Sequence, residues 1–155
     1  MSAKYFINTN IFVYSFDSRQ PTKKQRAQAL IQQALETGSG IISTQVIQEF
    51  LNVARHKFAT PLTVNDGRAY LRLVLNPLCQ IYPNLLLYDS CLDIQAETMY
   101  SFYDSLIIAA TIQGGCDILY SEDLQDGQQV RGLKIVNPFL EISLSQSVNQ
   151  EGNLK

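Results

Sequence analysis

The sequence predicts an α/β fold, a three-layer α/β/α sandwich around a central, mostly parallel sheet. Three observations support this. Short apolar runs, each the length of one buried strand, recur along the chain as "KYFI", "GIIST", "DILY" and "LKIV". Between them lie longer segments whose apolar residues return at helical spacing. The alternation persists without an internal repeat or a linker, and strands alternating with helices in one chain imply a parallel sheet covered on both faces.

Taken in order, Lys4 to Ile7 reads as a first buried strand and Asn10 to Phe16 as the start of a helix. The stretch "PTKKQRAQALIQQALETGSG" predicts a helix from Thr22 to Thr37, opened by Pro21 and stopped by Gly38. "GIIST" is a second strand, and "STQVIQEFLNVARHKF" a helix with Ser43 or Thr44 at its N-cap. After the turn at Pro61, "TVNDGRAYLRLVLNPL" is helical and "CQIYP" is a third strand. Leu85 to Tyr100 is helical and leads into "SFYDSLIIAATIQGG", a helix from Ser101 that ends at the Gly114-Gly115 pair. "CDILYSED" and "LKIVNPF" supply the last strands. Residues 1–140 form one domain, and 141–155, "EISLSQSVNQEGNLK", are expected to be a polar, flexible C-terminal tail.

With 155 residues, 46% of them hydrophobic, the chain fills one domain and is short for two. A net charge of −2 excludes a general polyanion binder, so contact with nucleic acid would rest on local basic patches or on metal ions that offset phosphate charge. Cys79, Cys91 and Cys116 lack the close Cys/His pairing of a zinc site and read as reduced core residues. No stretch has the length of a signal peptide's apolar core or of a membrane span, which points to a soluble, cytoplasmic protein.

In parallel sheets, ligands bind beyond the carboxyl ends of the strands. Polar residues just past each apolar run are therefore the candidates for chemistry. Asn8 ends the first strand, inside "YFINTNIFVY", where Asn8, Thr9 and Asn10 interrupt an apolar stretch. Glu49 lies in the helix after the second strand, at the edge of the face formed by Val46, Phe50, Val53 and Ala54. Ser121, Glu122 and Asp123 follow "DILY". Asp104 is the only charged residue between Glu97 and Asp117 and sits among Phe102, Leu106, Ile107 and Ile108. A carboxylate in so apolar a helix costs several kcal/mol unless it is compensated. Ser101-Phe102-Tyr103-Asp104 also has the form of a capping box, which would give Asp104 a structural role, and the two roles are compatible.

Acids brought to one sheet edge repel and raise one another's pKa, and a divalent cation removes that cost. Oxygen ligands of this kind suit Mg²⁺ or Mn²⁺, and such sites hydrolyse phosphodiester bonds by activating water.

With these residues in place, the sequence resembles the PIN-domain family, and within it the VapC-type toxins of bacterial toxin–antitoxin pairs. The resemblance runs from Tyr5 to Phe139. The family opens with a strand ending in Asp-Thr-Asn, matched by "FINTNIFVY" except that position 8 is Asn. Its next acid matches Glu49 in "STQVIQEFLNV", its third matches Asp104 in "SFYDSLIIAA", and its last site matches Ser121 and Asp123 in "YSEDL". The resemblance implies a Mg²⁺- or Mn²⁺-dependent endoribonuclease that forms no covalent intermediate, a cognate antitoxin that blocks its site, and a homodimer. It implies that position 8 and Asp104 are the principal metal ligands, with Glu49 and Asp123 binding directly or through water. Thr9 and Ser121 would orient the ligands, and Asn10 would hold the strand-to-helix turn. Asparagine at position 8 removes one negative charge and brings an NH₂ donor into the site, so the expected cleavage is weakened or disarmed.

Lys23, Lys24 and Arg26 cluster early in one helix, and Arg55, His56 and Lys57 end another; either cluster would meet RNA phosphates or serve as ordinary surface charge. His56 is the only histidine and has no setting of a general base. The alternative from a different class is a catalytically inactive PIN domain acting as an RNA- or protein-binding module. A phosphohydrolase of the Asp-x-Asp type is excluded, because positions 8 and 10 are both Asn.

Overall fold

The computed structural model describes residues 3–140. Six strands, β1 (Tyr5–Ile7), β2 (Gly40–Ser43), β3 (Cys79–Ile81), β4 (Ile118–Tyr120), β5 (Gln129–Val130) and β6 (Leu133–Val136), form one sheet in the order β3-β2-β1-β4-β6-β5. All neighbouring pairs are parallel except β5 with β6. The expected α/β sandwich with a mostly parallel sheet is therefore the observed fold. The antiparallel β5 is an addition: it has two residues, too few for any periodic signal in the sequence.

The helices are α1 (Thr9–Tyr14), α2 (Pro21–Thr37), α3 (Thr44–His56), α4 (Val64–Tyr70), α5 (Asn76–Leu78), α6 (Leu85–Thr98) and α7 (Phe102–Gln113), with a π-helical stretch, Leu71–Leu75, joining α4 to α5. The segment expected to be one helix up to Leu78 is thus divided in three, with an underwound middle and Pro77 near its end. Connections β1→β2→β3 step one way along the sheet, and β3→β4 steps back across β1. Right-handed crossovers then put α1 to α5 on one face and α6 and α7 on the other. The reversal falls between β1 and β4, which makes that crevice the topological switch point of the sheet.

Apolar strands fill the middle layer, with Phe6, Ile7, Ile41, Ile42, Leu119 and Ile135 fully buried. An aromatic cluster of Phe16, Phe50, Phe58 and Tyr70 packs the α1–α5 face, with ring centroids 4.9–6.1 Å apart. Burial pushes the Tyr70 hydroxyl up to about 12. Cys79, Cys91 and Cys116 are free and buried, and burial raises all three thiols, Cys116 to about 11, so they are inert core groups. Among the described residues no helix is long and apolar enough to cross a membrane. The C-terminal tail expected at 141–155 lies outside the described residues.

The start of β2 is packed so closely that only glycine fits. A Cβ on Gly40 would stand 2.6 Å from the Tyr5 ring and would also collide with the Ala34 methyl group of α2. Gly40→Ala is therefore expected to cost about 1–3 kcal/mol by overpacking, read as a lower urea midpoint with an unchanged m-value.

Candidate active site

Parallel strands bring the ends of β1, β2 and β4 to one edge, and each leaves a polar group there. Asn8 follows β1 and is buried. Its backbone N–H donates to the Tyr120 carbonyl at 3.1 Å, which continues the β1–β4 ladder by one rung. Its side chain serves both neighbouring elements. Oδ1 accepts from the Thr9 N–H at 2.8 Å and caps α1, while Nδ2 donates to Ser121 Oγ at 3.0 Å. The second bond closes the crevice between β1 and β4. Because Nδ2 can only donate, the Ser121 hydroxyl must accept there, and it also accepts from the Asp123 N–H at 3.2 Å. Ser121 thereby fixes the turn that carries Asp123, which is itself exposed.

Thr9 is also buried, and its hydroxyl donates to Glu49 Oε2 at 2.9 Å, joining α1 to α3. The other oxygen of Glu49 accepts from Gln45 Nε2 at 2.7 Å, one helical turn earlier on α3. Glu49 lies at the edge of the apolar face, as its position on the helical wheel predicts, and is half-buried.

Asp104 occupies the first turn of α7, whose N-terminus lies at the same sheet edge because α7 runs antiparallel to the strand that follows it. Ser101 Oγ accepts from the Asp104 N–H at 3.2 Å, so the serine half of the capping box forms. The reciprocal bond from the Ser101 amide to the Asp104 carboxylate is not made, and among the described residues that carboxylate is left without a hydrogen bond. The cap explains why the backbone starts a helix here and leaves the acid available for chemistry.

Two details differ from expectation. Asn10 does not fasten the strand-to-helix turn through its side chain, since both its amide atoms are buried without a protein partner. Asn8 makes that bond instead. Ser43 holds the cap position of α3, but its hydroxyl makes no capping bond and is buried without a partner. With Gln45 Oε1 and Ser105 Oγ, these are the buried unpartnered side-chain atoms among the described residues. All belong to residues at the carboxyl edge or beside Asp104. Buried polar side chains elsewhere in the described interior are satisfied, so this edge is lined for a polar occupant.

Whether that occupant fits a divalent ion turns on the donor set. Glu49, Asp104, Asp123 and the Asn8 carbonyl oxygen are hard oxygen donors of the type Mg²⁺ and Mn²⁺ take. Yet among the described residues no three His, Cys, Asp or Glu side chains are gathered closely enough to hold a metal ion. The donor types suit a hard cation, and Asn8 contributes a neutral carbonyl oxygen where a carboxylate would contribute charge.

Beside Asp123, Glu122 is engaged from α1 and α2. It accepts from Tyr14 Oη at 2.7 Å and from Lys23 Nζ at 3.0 Å, and Lys23 lies over the Tyr14 ring, 4.7 Å from its centroid. Nothing in the sequence marks Tyr14 for this place. Burial and then the Glu122 carboxylate raise the Tyr14 hydroxyl. Burial alone would lower Lys23, but Glu122 beside it holds it above its ordinary value. Lys23 is thus committed to an intramolecular pair. Of the other basic candidates, Lys24 Nζ donates to Ser18 Oγ at 3.1 Å, Arg26 Nε to the Pro138 carbonyl at 3.4 Å, and Arg55 to the Leu62 carbonyl at 3.3 Å. His56 is exposed, with Nδ1 against the Asn52 carbonyl at 2.9 Å.

Fold and site together define a three-layer α/β protein with acidic residues at the switch point of its sheet. The family model of the PIN domain matches residues 5–127, and the chain belongs to that family. Its structural neighbours include VapC toxins of VapBC toxin–antitoxin systems. A chain of a toxin–antitoxin complex from Klebsiella pneumoniae is 19% identical with a TM-score of 0.62, over 87% of this chain and 98% of that one. A chain of DNA-bound VapBC from Salmonella typhimurium is 17% identical with a TM-score of 0.60, over 86% and 97%. VapC20 from Mycobacterium tuberculosis, a toxin that cleaves the sarcin-ricin loop, is 16% identical with a TM-score of 0.54, over 84% and 99%. Comparison with curated protein sequences finds no match.

Ser121→Ala tests the closure across β1 and β4. It leaves Asn8 Nδ2 buried without its acceptor, and the expected loss is about 1–3 kcal/mol in chemical unfolding.

Proposed function

We propose that this chain is a VapC-like toxin, an endoribonuclease dependent on Mg²⁺ or Mn²⁺, whose cleavage is weakened by asparagine at position 8. The observation that carries this reading is the hydrogen-bonded chain Ser121–Asn8–Thr9–Glu49, which ties the ends of β1 and β4 to α3 at the switch point. Glu49, Asp104 and Asp123, with the Asn8 carbonyl oxygen, would hold the ion. An ion held there would supply positive charge opposite the scissile phosphate and would lower the pKa of water enough to give a hydroxide nucleophile near neutral pH. The chain's own residues do the positioning. Thr9 and Gln45 fix both oxygens of Glu49, Ser121 fixes the side chain at position 8, and Ser101 starts the helix that presents Asp104.

The structural neighbours from Klebsiella pneumoniae and Salmonella typhimurium are parts of toxin–antitoxin assemblies, which supports a cognate antitoxin as partner. A homodimer and a cytoplasmic location belong to the same reading. Exposed Leu85, Leu86 and Leu92 on α6 offer apolar surface for a protein contact. The second reading, an inactive PIN domain that binds RNA or protein without cutting, is favoured by one observation: the Asn8 amide is satisfied at both ends within the protein.

The experiment is an RNA cleavage assay with Mg²⁺ or Mn²⁺ on this chain, on Asn8→Asp and on Asn8→Asp with Asp104→Asn. Asn8→Asp is expected to cut at least tenfold faster than this chain, equivalent to ~1.4 kcal/mol of transition-state stabilisation, with the activity stopped by EDTA. Asp104→Asn is expected to abolish it. Equal rates for Asn8→Asp with and without Asp104→Asn would sink the site assignment. RNA binding with no cleavage by any form would favour the binding module.

A further inference from the structure

We propose that Gln45 is the positioning residue that sets Glu49 and Asp104 relative to one another across the sheet edge, a role that rests on the metal-dependent reading of the site. Gln45 is 8% exposed and lies in the first turn of α3. Its Nε2 donates at 2.7 Å to Glu49 Oε1 and at 3.1 Å to the Tyr103 carbonyl, one residue before Asp104. Both partners accept only, so the nitrogen, not the oxygen, must face them, and the amide's orientation is settled by its neighbours. One NH₂ group therefore divides its two hydrogens between two elements, α3 on one face of the sheet and α7 on the other. Gln45 stands two residues past Ser43, the last residue of β2, so the bridge lies where that strand ends.

The chemistry of the bridge selects glutamine. A second carboxylate at position 45 would stand against Glu49 and repel it, and a lysine would neutralise the charge that the site needs. An apolar residue would free Glu49 to rotate, and asparagine is one methylene too short to span both acceptors. The arrangement also carries a penalty, since Gln45 Oε1 is buried without a partner. A core selected for stability alone would not leave that atom stranded, whereas a site that must hold a carboxylate at both oxygens accepts it. Groups that orient a metal-binding carboxylate typically change metal affinity about tenfold to a hundredfold when removed.

The test is Mn²⁺ binding by titration calorimetry, with full-length chain carrying Asn8→Asp and the same chain with Gln45→Met added. Methionine matches the length of glutamine and keeps the core filled but donates nothing. The expected result is a dissociation constant about tenfold higher or more, with a thermal midpoint that stays within a few degrees. A Gln45→Asn version, which keeps the amide but shortens its reach, is expected to weaken Mn²⁺ binding in the same direction and replaces Gln45→Met should that variant fail to fold. If Asn8→Asp binds Mn²⁺ and the Gln45 variants bind equally well, the positioning role is overturned while the metal site stands. If Asn8→Asp binds no Mn²⁺, the metal reading falls and this inference falls with it.

Discussion

The side chain of Asn8 carries two hydrogen bonds in opposite directions, and the arrangement of the site depends on them. Its oxygen starts α1 and its nitrogen reaches Ser121 across the gap between β1 and β4. Parallel strands end at a common edge, and where the connections reverse, two neighbouring strands leave a crevice between their crossovers. The amide of Asn8 spans that crevice. Thr9 is thereby held where its hydroxyl meets Glu49, and Ser121 where it fixes the turn of Asp123. A residue at position 8 thus has two tasks, one structural and one electrostatic. Asparagine performs the first fully, and on the proposed metal-dependent reading it performs the second only in part.

On the proposed reading, that division accounts for a site that is well ordered and yet short of one charge. The capping and cross-strand bonds need an acceptor toward Thr9 and a partner for Ser121, and an aspartate would provide both once the Ser121 hydroxyl turned to donate. The exchange is nearly isosteric, so the fold loses little by carrying asparagine. Holding a divalent ion is different, because each carboxylate contributes charge that an amide cannot. Unpartnered polar atoms of Asn10, Ser43, Gln45 and Ser105 gather around the same edge, and they mark where the protein accepts imperfect burial.

Much of this was legible in the sequence because the signals were local. Apolar runs that stop at Asn8, Ser43 and Ser121 mark the strand ends, and a lone acid in "SFYDSLIIAA" marks the start of α7. The free carboxylate of Asp104 was harder to foresee, since the capping box can close at both ends and here closes at one. Gln45 was missed because its meaning depends on α3 and α7 meeting, although its spacing of four from Glu49 on one helix was a usable hint. The Lys23–Glu122 pair joins residues 99 positions apart, which no local pattern reports. The π-helical stretch and the two-residue β5 arise from packing against neighbours, below the length at which periodicity speaks.

Our central proposal is that the carboxyl edge of this sheet is a hard-cation site lacking one charge at position 8. Anomalous diffraction from Mn²⁺-soaked crystals of this chain and of Asn8→Asp tests it most directly. In the Asn8→Asp crystals the expected result is an anomalous peak among the substituted side chain at position 8, Glu49, Asp104 and Asp123. In this chain, at the same Mn²⁺ concentration, the peak there is expected to be weaker or to vanish. A peak absent from both crystals, or one lying away from these side chains, would contradict it.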